Sequence, residues 1–285
     1  MEKTYEEEIA ELDAQIAAVE KLSRDMKKAA CQMGDGTARY MVDAFYREQQ
    51  ERIAADAMVR QAEKVGEPID TVKFIAEQHR RNEASIKSML DSYTSNNKLG
   101  AWAKSICGIG PVIAAGLLAH IDITKTQTAG GLQRFAGLDP TIDWCKGQKR
   151  PYNAKLKTLV AFKLGESFVK TQNRDNDIYG HLFAEHKAME QAKNEAGGFA
   201  EEARAILAKK KIGKNTEAYK WYSQGKLPPA HIHARARRYA VKIFLSHFFE
   251  VAYEIKYGKR PPEPYSIAIL NHAHKIEVPN WTHVA

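Results

Sequence analysis

Leu99–Ile121 reads LGAWAKSICGIGPVIAAGLLAHI: a short apolar-periodic segment, the turn Gly108-Ile109-Gly110-Pro111, and an alanine-rich segment. Leu99, Trp102 and Ile106 recur at helical spacing before the turn, and Ile113, Leu117 and Leu118 come after it, so two helices can close on each other. The pattern predicts a helix-hairpin-helix. Gly108 and Gly110 suit a turn with positive φ, and Pro111 suits the first position of the second helix. A glycine turn leading into a helix N-terminus offers N–H groups and partial positive charge. Such a turn can hold a nucleic-acid phosphate without reading a base. It serves equally well in a helical hairpin that only packs.

Upstream, Ile9, Leu12, Ile16, Val19 and Met26 stand at steps of three and four, interrupted once, as in a coiled-coil seam. Gly34-Asp35-Gly36 breaks this helix, and Thr37 is a candidate cap for a second one carrying Met41, Phe45, Ile53 and Met58. After Gly66-Glu67-Pro68, Asp70 is a candidate cap for a third, with Val72, Ile75, Ile86, Met89 and Leu90. Residues 1–97 therefore read as a helical arm, either pairing with a second copy in a homodimer or packing inside its own chain. The arm contains neither a Gly-rich phosphate loop after a strand nor a His-Glu-x-x-His pair.

Downstream, Thr128 is placed to cap the short helix AGGLQRFAG, which Gly137-Leu138-Asp139-Pro140 closes. The next loop carries Lys146, Lys149, Arg150, Lys155 and Lys157, with Trp144 and Tyr152 interleaved. Cations with rings between them can neutralise phosphates and stack on exposed bases, although a solvated lysine loop has the same composition. Residues 154–172 return to helix, with Leu156, Leu159, Val160, Phe162, Phe168 and Val169 as its apolar stripe. The last long helix comes after Leu227-Pro228-Pro229. Its first half is basic through His233, Arg235, Arg237, Arg238 and Lys242 and could lie along a phosphate backbone, and a short helix is expected near 267–273. His231-x-His233 and His272-x-His274 lack the spacing and partners of a metal site, and no metal or other cofactor is expected.

The 285 residues are 44% hydrophobic, enough for a core, and their net charge of +8 favours a polyanionic partner. Cys31, Cys107 and Cys145 form neither a metal-ligand spacing nor a disulfide framework, as suits a reducing compartment. The acidic opening MEKTYEEEIAELDAQ does not read as a signal peptide, and no apolar run nears the roughly 18 residues of a membrane span. A cytoplasmic protein without a membrane partner is expected.

The run SICGIGPVIAAGLLAHI, then LQRFAGLDP, then a basic loop, then YNAKLKTLVAFKLGES resembles the C-terminal domain of the IS-110 (IS-116/IS-902) insertion-sequence transposase family. Gly108, Gly110 and Pro111 match its glycine hairpin. Phe135, Gly137, Leu138 and Pro140 match its FAGLxP phrase, and Asn153, Leu156, Lys157 and Leu159 match its Gly-Asn helix start. The resemblance spans roughly residues 99–170. It implies DNA binding and a mobile-element or DNA-recombination setting. The family also carries an N-terminal RuvC-like nuclease domain, where this chain has the helical arm, and a serine nucleophile. This chain reads Thr141-Ile142-Asp143-Trp144-Cys145-Lys146-Gly147 where that serine belongs, which makes Cys145 a weak catalytic candidate that still needs a base or metal.

The expected fold is all-α: an arm over 1–97, a helix-hairpin-helix domain over 98–172, and a helical extension over 173–285. The expected function is non-catalytic binding of DNA or structured RNA through Lys104, Gly108, Ile109, Gly110, Lys146, Lys149, Arg150, Lys155, Lys157, Arg235, Arg238 and Lys242. The alternatives are a transposase or nuclease component that acts with a separate metal-binding partner, and a helical assembly protein.

Overall fold

The computed structural model describes residues 23–262 and 276–283. Among these the protein is all helical, as the periodicity predicts. Two compact units emerge. One takes the described residues up to Lys104 together with Gly110–Ile121, and the other takes Ser105–Ile109 and the described residues from Asp122 onward. Most of the 3–30 seam and the tail helix expected near 267–273 lie outside the described residues.

In the first unit, α1 (Asp35–Val65) and α2 (Asp70–Ser95) run as a pair, and α3 (Lys98–Ser105) and α4 (Pro111–His120) come next. The candidate caps Thr37 and Asp70 do not act as such: Gly34 and Ile69 hold the N-cap positions without a side-chain bond. Gly66 adopts φ 74° and ends α1, its N–H donating to Glu63 O while that of Glu67 reaches Ala62 O. Val42, Leu90, Val112 and Ala115 bring α1, α2 and α4 into one core, flanked by Phe45, Tyr46 and Ile86. Burial pushes the Tyr46 phenol up to about 12. Polar bonds cross the pair: Arg52 Nε donates to Glu83 at 2.5 Å, and His79 Nδ1 lies 2.8 Å from Glu48. Arg39 donates to the Ala119 carbonyl in the last turn of α4, where the helix dipole favours a cation. Gly100 is dictated by packing, since a Cβ there would sit 2.4 Å from the Thr94 carbonyl oxygen.

The second unit is built around its longest helix. A 3₁₀ turn at Ile123–Lys125 leads to α5 (Ala129–Phe135), whose cap Thr128 accepts from Gly131 N–H at 3.0 Å as the sequence predicts. Beyond it lies a rod made of α6 (Ala154–Thr158), a π-helical turn at Leu159–Leu164, and α7 (Gly165–Thr171). Then come α8 (Ile178–Glu195), α9 (Ala200–Lys209), α10 (Glu217–Ser223) and α11 (Pro229–Tyr257). Pro228 and Pro229 set the start of α11, and Gly258, at φ 65°, ends it. The core is aromatic: Phe168 of α7 stacks on Tyr179 of α8 at 4.9 Å, and both meet Phe244 of α11 edge-on. Tyr179 O–H bonds His247 Nδ1 at 2.8 Å, which satisfies two buried polar groups at once.

The π turn changes which residues face inward. An extra residue in the turn rotates the helical positions around it, so Phe162, expected in the apolar stripe, is 52% exposed. Gly165 faces α11 closely enough that a Cβ would lie 2.7 Å from Arg237 Cγ.

Burial favours the neutral form of three histidines in this unit. Burial lowers the pKa of His186, His231 and His233; His186 stacks on Tyr239 at 4.0 Å, and Tyr222 O–H lies 3.1 Å from His231 Nδ1. The unfolded chain therefore binds more protons than the fold below the ordinary histidine pKa of about 6.5. The stability these groups contribute is fully present above that pH and is lost as pH falls toward their lowered folded values. Thermal unfolding measured from pH 7.5 to pH 5.5 should show Tm falling with acid, and His233→Gln should reduce the slope.

Candidate nucleic-acid interface

The glycine turn is asymmetric. Gly108 adopts φ 85°, so its predicted left-handed backbone is present, but Gly110 is extended at φ −94° and ψ 177° and has open space where a Cβ would project. Gly110 therefore does not need to be glycine for its conformation, which corrects the expectation of positive φ there. Gly108 is held against the rod: Ser167 Oγ donates to its carbonyl, and a Cβ would lie 3.1 Å from both Ser167 Oγ and Thr171 Oγ1. Ile109 is a core side chain, 5% exposed, and its N–H donates to Ile106 O at 3.0 Å. The N–H at the centre of the turn thus closes the turn itself. Pro111 opens α4 as predicted.

The FAGLDP phrase lies where two basic segments meet. At Gly137, φ 68°, Tyr152 and Lys157 pack so closely that a Cβ would fall 2.8–2.9 Å from them. Lys157 Nζ lies 4.3 Å from the Tyr152 ring centroid. Asn153 N–H donates to Phe135 O at 2.9 Å, and the Asn153 side chain accepts from Leu156 N–H and starts α6. Two residues on from Gly137, Asp139 accepts from the Thr141 hydroxyl at 2.7 Å and from its N–H at 2.9 Å, with Arg134 3.5 Å away. Those two bonds, then Arg134 and Lys242, hold the Asp139 carboxyl below its ordinary range. A carboxylate so stabilised is a poor base, so this pair acts as a turn lock and does not activate the Thr141 hydroxyl. Lys242, on α11, is half-buried and its pKa is lowered by burial, an effect that Asp139 opposes. Gln133 ties α5 to α11, donating to Lys242 O at 3.2 Å and Ser246 Oγ at 3.0 Å.

The loop before the rod is compact. Trp144 Nε1 donates to Gln148 O at 2.9 Å, Gly147 turns at φ 97°, and Arg150 lies 5.2 Å over the Trp144 ring. Lys146, Lys149, Arg150, Lys155 and Cys145 are exposed. Phe135 and Phe162 are exposed rings in the same unit, and Arg134 is 64% exposed. The sequence pattern alone does not single out Arg134 and Phe135 as site residues, although both lie in the phrase that carries the family resemblance.

Several expected contacts are engaged elsewhere. Lys104 pairs with Asp91 at 2.5 Å in the first unit. Arg235 binds Glu190 at 2.5 Å and Glu202 at 3.0 Å, with its guanidinium 4.9 Å over Phe199. Arg237 pairs with Glu166 and covers Phe162 at 5.2 Å. These arginines hold α11 against α7, α8 and α9. Of the basic half of α11, Arg238 is exposed and Lys242 borders the Asp139 turn. Ser167, which supports Gly108, stands ten residues beyond Lys157, a separation of roughly 15 Å along a helical rod. The glycine turn and the basic loop therefore occupy different levels of that rod.

No curated protein and no solved structure matches the chain. Residues 100–153, well under half of the chain, match the family model described as Transposase IS116/IS110/IS902 family. The matched segment begins in α3, crosses the glycine turn and the FAGLDP phrase, and ends at Asn153, the cap of α6. Over that segment the chain is similar to the IS116/IS110/IS902 transposases.

Proposed function

We propose that this chain binds nucleic acid, DNA first, through the basic loop Lys146–Lys157 and the adjoining FAGLDP turn with Arg134, Arg238 and Lys242, and that it binds without catalysing a reaction. The observation that carries this reading is the convergence at Phe135–Pro140. Gly137 receives Tyr152 and Lys157 from the loop, and Asp139 faces Arg134 and Lys242 of α5 and α11. Cations ordered over Trp144 and Tyr152 are positioned by the rings beneath them, which suits them to phosphates. The exposed Phe135 ring offers a stacking surface should strands separate. The transposase-related segment contains the turn and most of the loop, which supports DNA as the partner. Gly108 serves in this reading to set the turn against α7.

Fluorescence anisotropy of a labelled duplex between about 50 and 200 mM salt tests the proposal. Each phosphate contact contributes a slope of about −0.9 in log K against log salt. The Lys149→Ala/Arg150→Ala double variant should therefore flatten the slope by about 1.8. Binding that is absent at low salt, or a slope unchanged in the double variant, would refute the loop as the interface. Cys145→Ala should bind as the parent does.

A further inference from the structure

Away from the basic loop, α11 presents two glutamates one turn apart, Glu250 and Glu254, toward the tail segment 276–283. Both are buried. His283 lies between them, and single ligand atoms of Glu250, Glu254 and His283 fall within 4.8 Å of one another. The tail is fastened there by several bonds: His247 Nε2 to Ile276 O at 2.9 Å, Trp281 Nε1 donating to Glu254 Oε2 at 2.8 Å, and the buried Val278. The two nitrogens of His283 have different surroundings. Nδ1 lies 2.7 Å from Glu254 Oε1, a full hydrogen bond. Nε2 is buried and, among the described residues, has no hydrogen-bond partner. Two carboxylate oxygens, Glu250 Oε1 and Glu277 Oε2, each stand 3.8 Å from it.

That distance separates two explanations. An N–H donor needs its acceptor within about 3.2 Å, so a proton on Nε2 would be shared with neither carboxylate. A zinc-type ion bonds nitrogen and oxygen at about 2.0–2.2 Å, and two such bonds at a tetrahedral angle place the ligand atoms roughly 3.4 Å apart. A contraction of a few tenths of an ångström brings each oxygen to that separation from Nε2, and the Glu277 side chain, 71% exposed, would swing toward Glu250 to complete the set. The Nδ1–Glu254 bond is the carboxylate–histidine arrangement that fixes the tautomer of a metal-binding imidazole. Arg260 Nε stands 3.9 Å from Glu254, so the carboxylate that orients the imidazole already has a cation beside it.

We propose that His283 Nε2, Glu250 and Glu277 bind one divalent transition-metal ion of the zinc class, with Glu254 as the residue that orients the imidazole. Three protein ligands leave a coordination position for water. The ion would tie the tail to α11, and its binding is independent of the nucleic-acid reading.

The test is calorimetric titration of Zn²⁺ into the full chain after treatment with a chelator and its removal, with Mg²⁺ as a second titrant. The expected result is one saturable Zn²⁺ site of micromolar affinity or tighter, no comparable Mg²⁺ site, and a Tm that rises with Zn²⁺. His283→Gln should abolish that site. Glu277→Gln, at an exposed position where folding is not at stake, should weaken it at least about tenfold, and Glu254→Gln should weaken it about 10- to 100-fold. Circular dichroism checks that each variant is folded. Absence of a Zn²⁺ site in the parent, or a site that Glu277→Gln and His283→Gln leave unchanged, overturns the proposal.

Discussion

Phe168→Ala is expected to lower the unfolding free energy by about 3–5 kcal/mol. The ring is 1% exposed, stacks on Tyr179 at 4.9 Å and meets Phe244 at 5.9 Å, so truncation removes a buried ring and leaves a cavity between α7, α8 and α11. Its neighbours cannot collapse easily, because Tyr179 is anchored through its hydroxyl to His247. Denaturant unfolding monitored by far-UV circular dichroism reads the change as a lowered midpoint. Phe162→Ala, six residues earlier on the same rod, should shift it by less than about 0.5 kcal/mol beyond the loss of its contact with Arg237. Equal losses at the two positions would contradict the outward turn of Phe162 within the π-helical segment.

Gly108→Val is the second large effect. At φ 85° a β-branched residue costs about 1–3 kcal/mol in backbone strain alone. Its Cβ would also press on Ser167 Oγ and Thr171 Oγ1 at 3.1 Å, while the Ser167 hydroxyl remains committed to the Gly108 carbonyl. Overpacking there adds about 1–3 kcal/mol, for a total near 2–6 kcal/mol. Gly110→Ala, two residues away, should be nearly neutral, since its extended backbone suits any residue and its surroundings are open. Urea midpoints of the two variants decide the matter. A destabilised Gly110→Ala beside a tolerated Gly108→Val would invert the geometry of the turn.

The contrast between the two glycines marks the limit of local sequence. Both suggest a turn, and composition cannot say which of them takes positive φ, because the handedness of each residue depends on how the flanking helices leave the turn. Local capping was legible where a side chain bonds its own neighbouring backbone. Thr128 and Asn153 begin α5 and α6 by bonds to residues three positions on. Thr37 and Asp70 have the right chemistry for caps, but α1 and α2 start at Gly34 and Ile69 through backbone placement. Phe162 fits a 3.6-residue stripe that the π turn then shifts.

The candidate interface divides in the same way. The basic loop and its rings are contiguous in the chain, and Arg150 over Trp144 and Lys157 over Tyr152 are local pairings. Arg235 and Arg237 look no different from Arg238 as letters. What separates them is Glu190, Glu202 and Glu166, brought across from other helices to neutralise two of the three. Likewise, His283 could not be singled out, because Glu250 and Glu254 stand about thirty residues before it and only the return of the tail to α11 brings them together.

Periodicity, glycine and proline placement, and charge were sufficient to establish an all-helical chain, the glycine turn and the basic loop, since each depends on interactions within a few residues. The choice of left-handed glycine, the inward face of the rod, the arginines withdrawn into ion pairs and the carboxylate–histidine cluster were decided by tertiary packing. Each depends on a partner distant in the chain, and burial sets both the strength of such pairings and the cost of leaving them unmade.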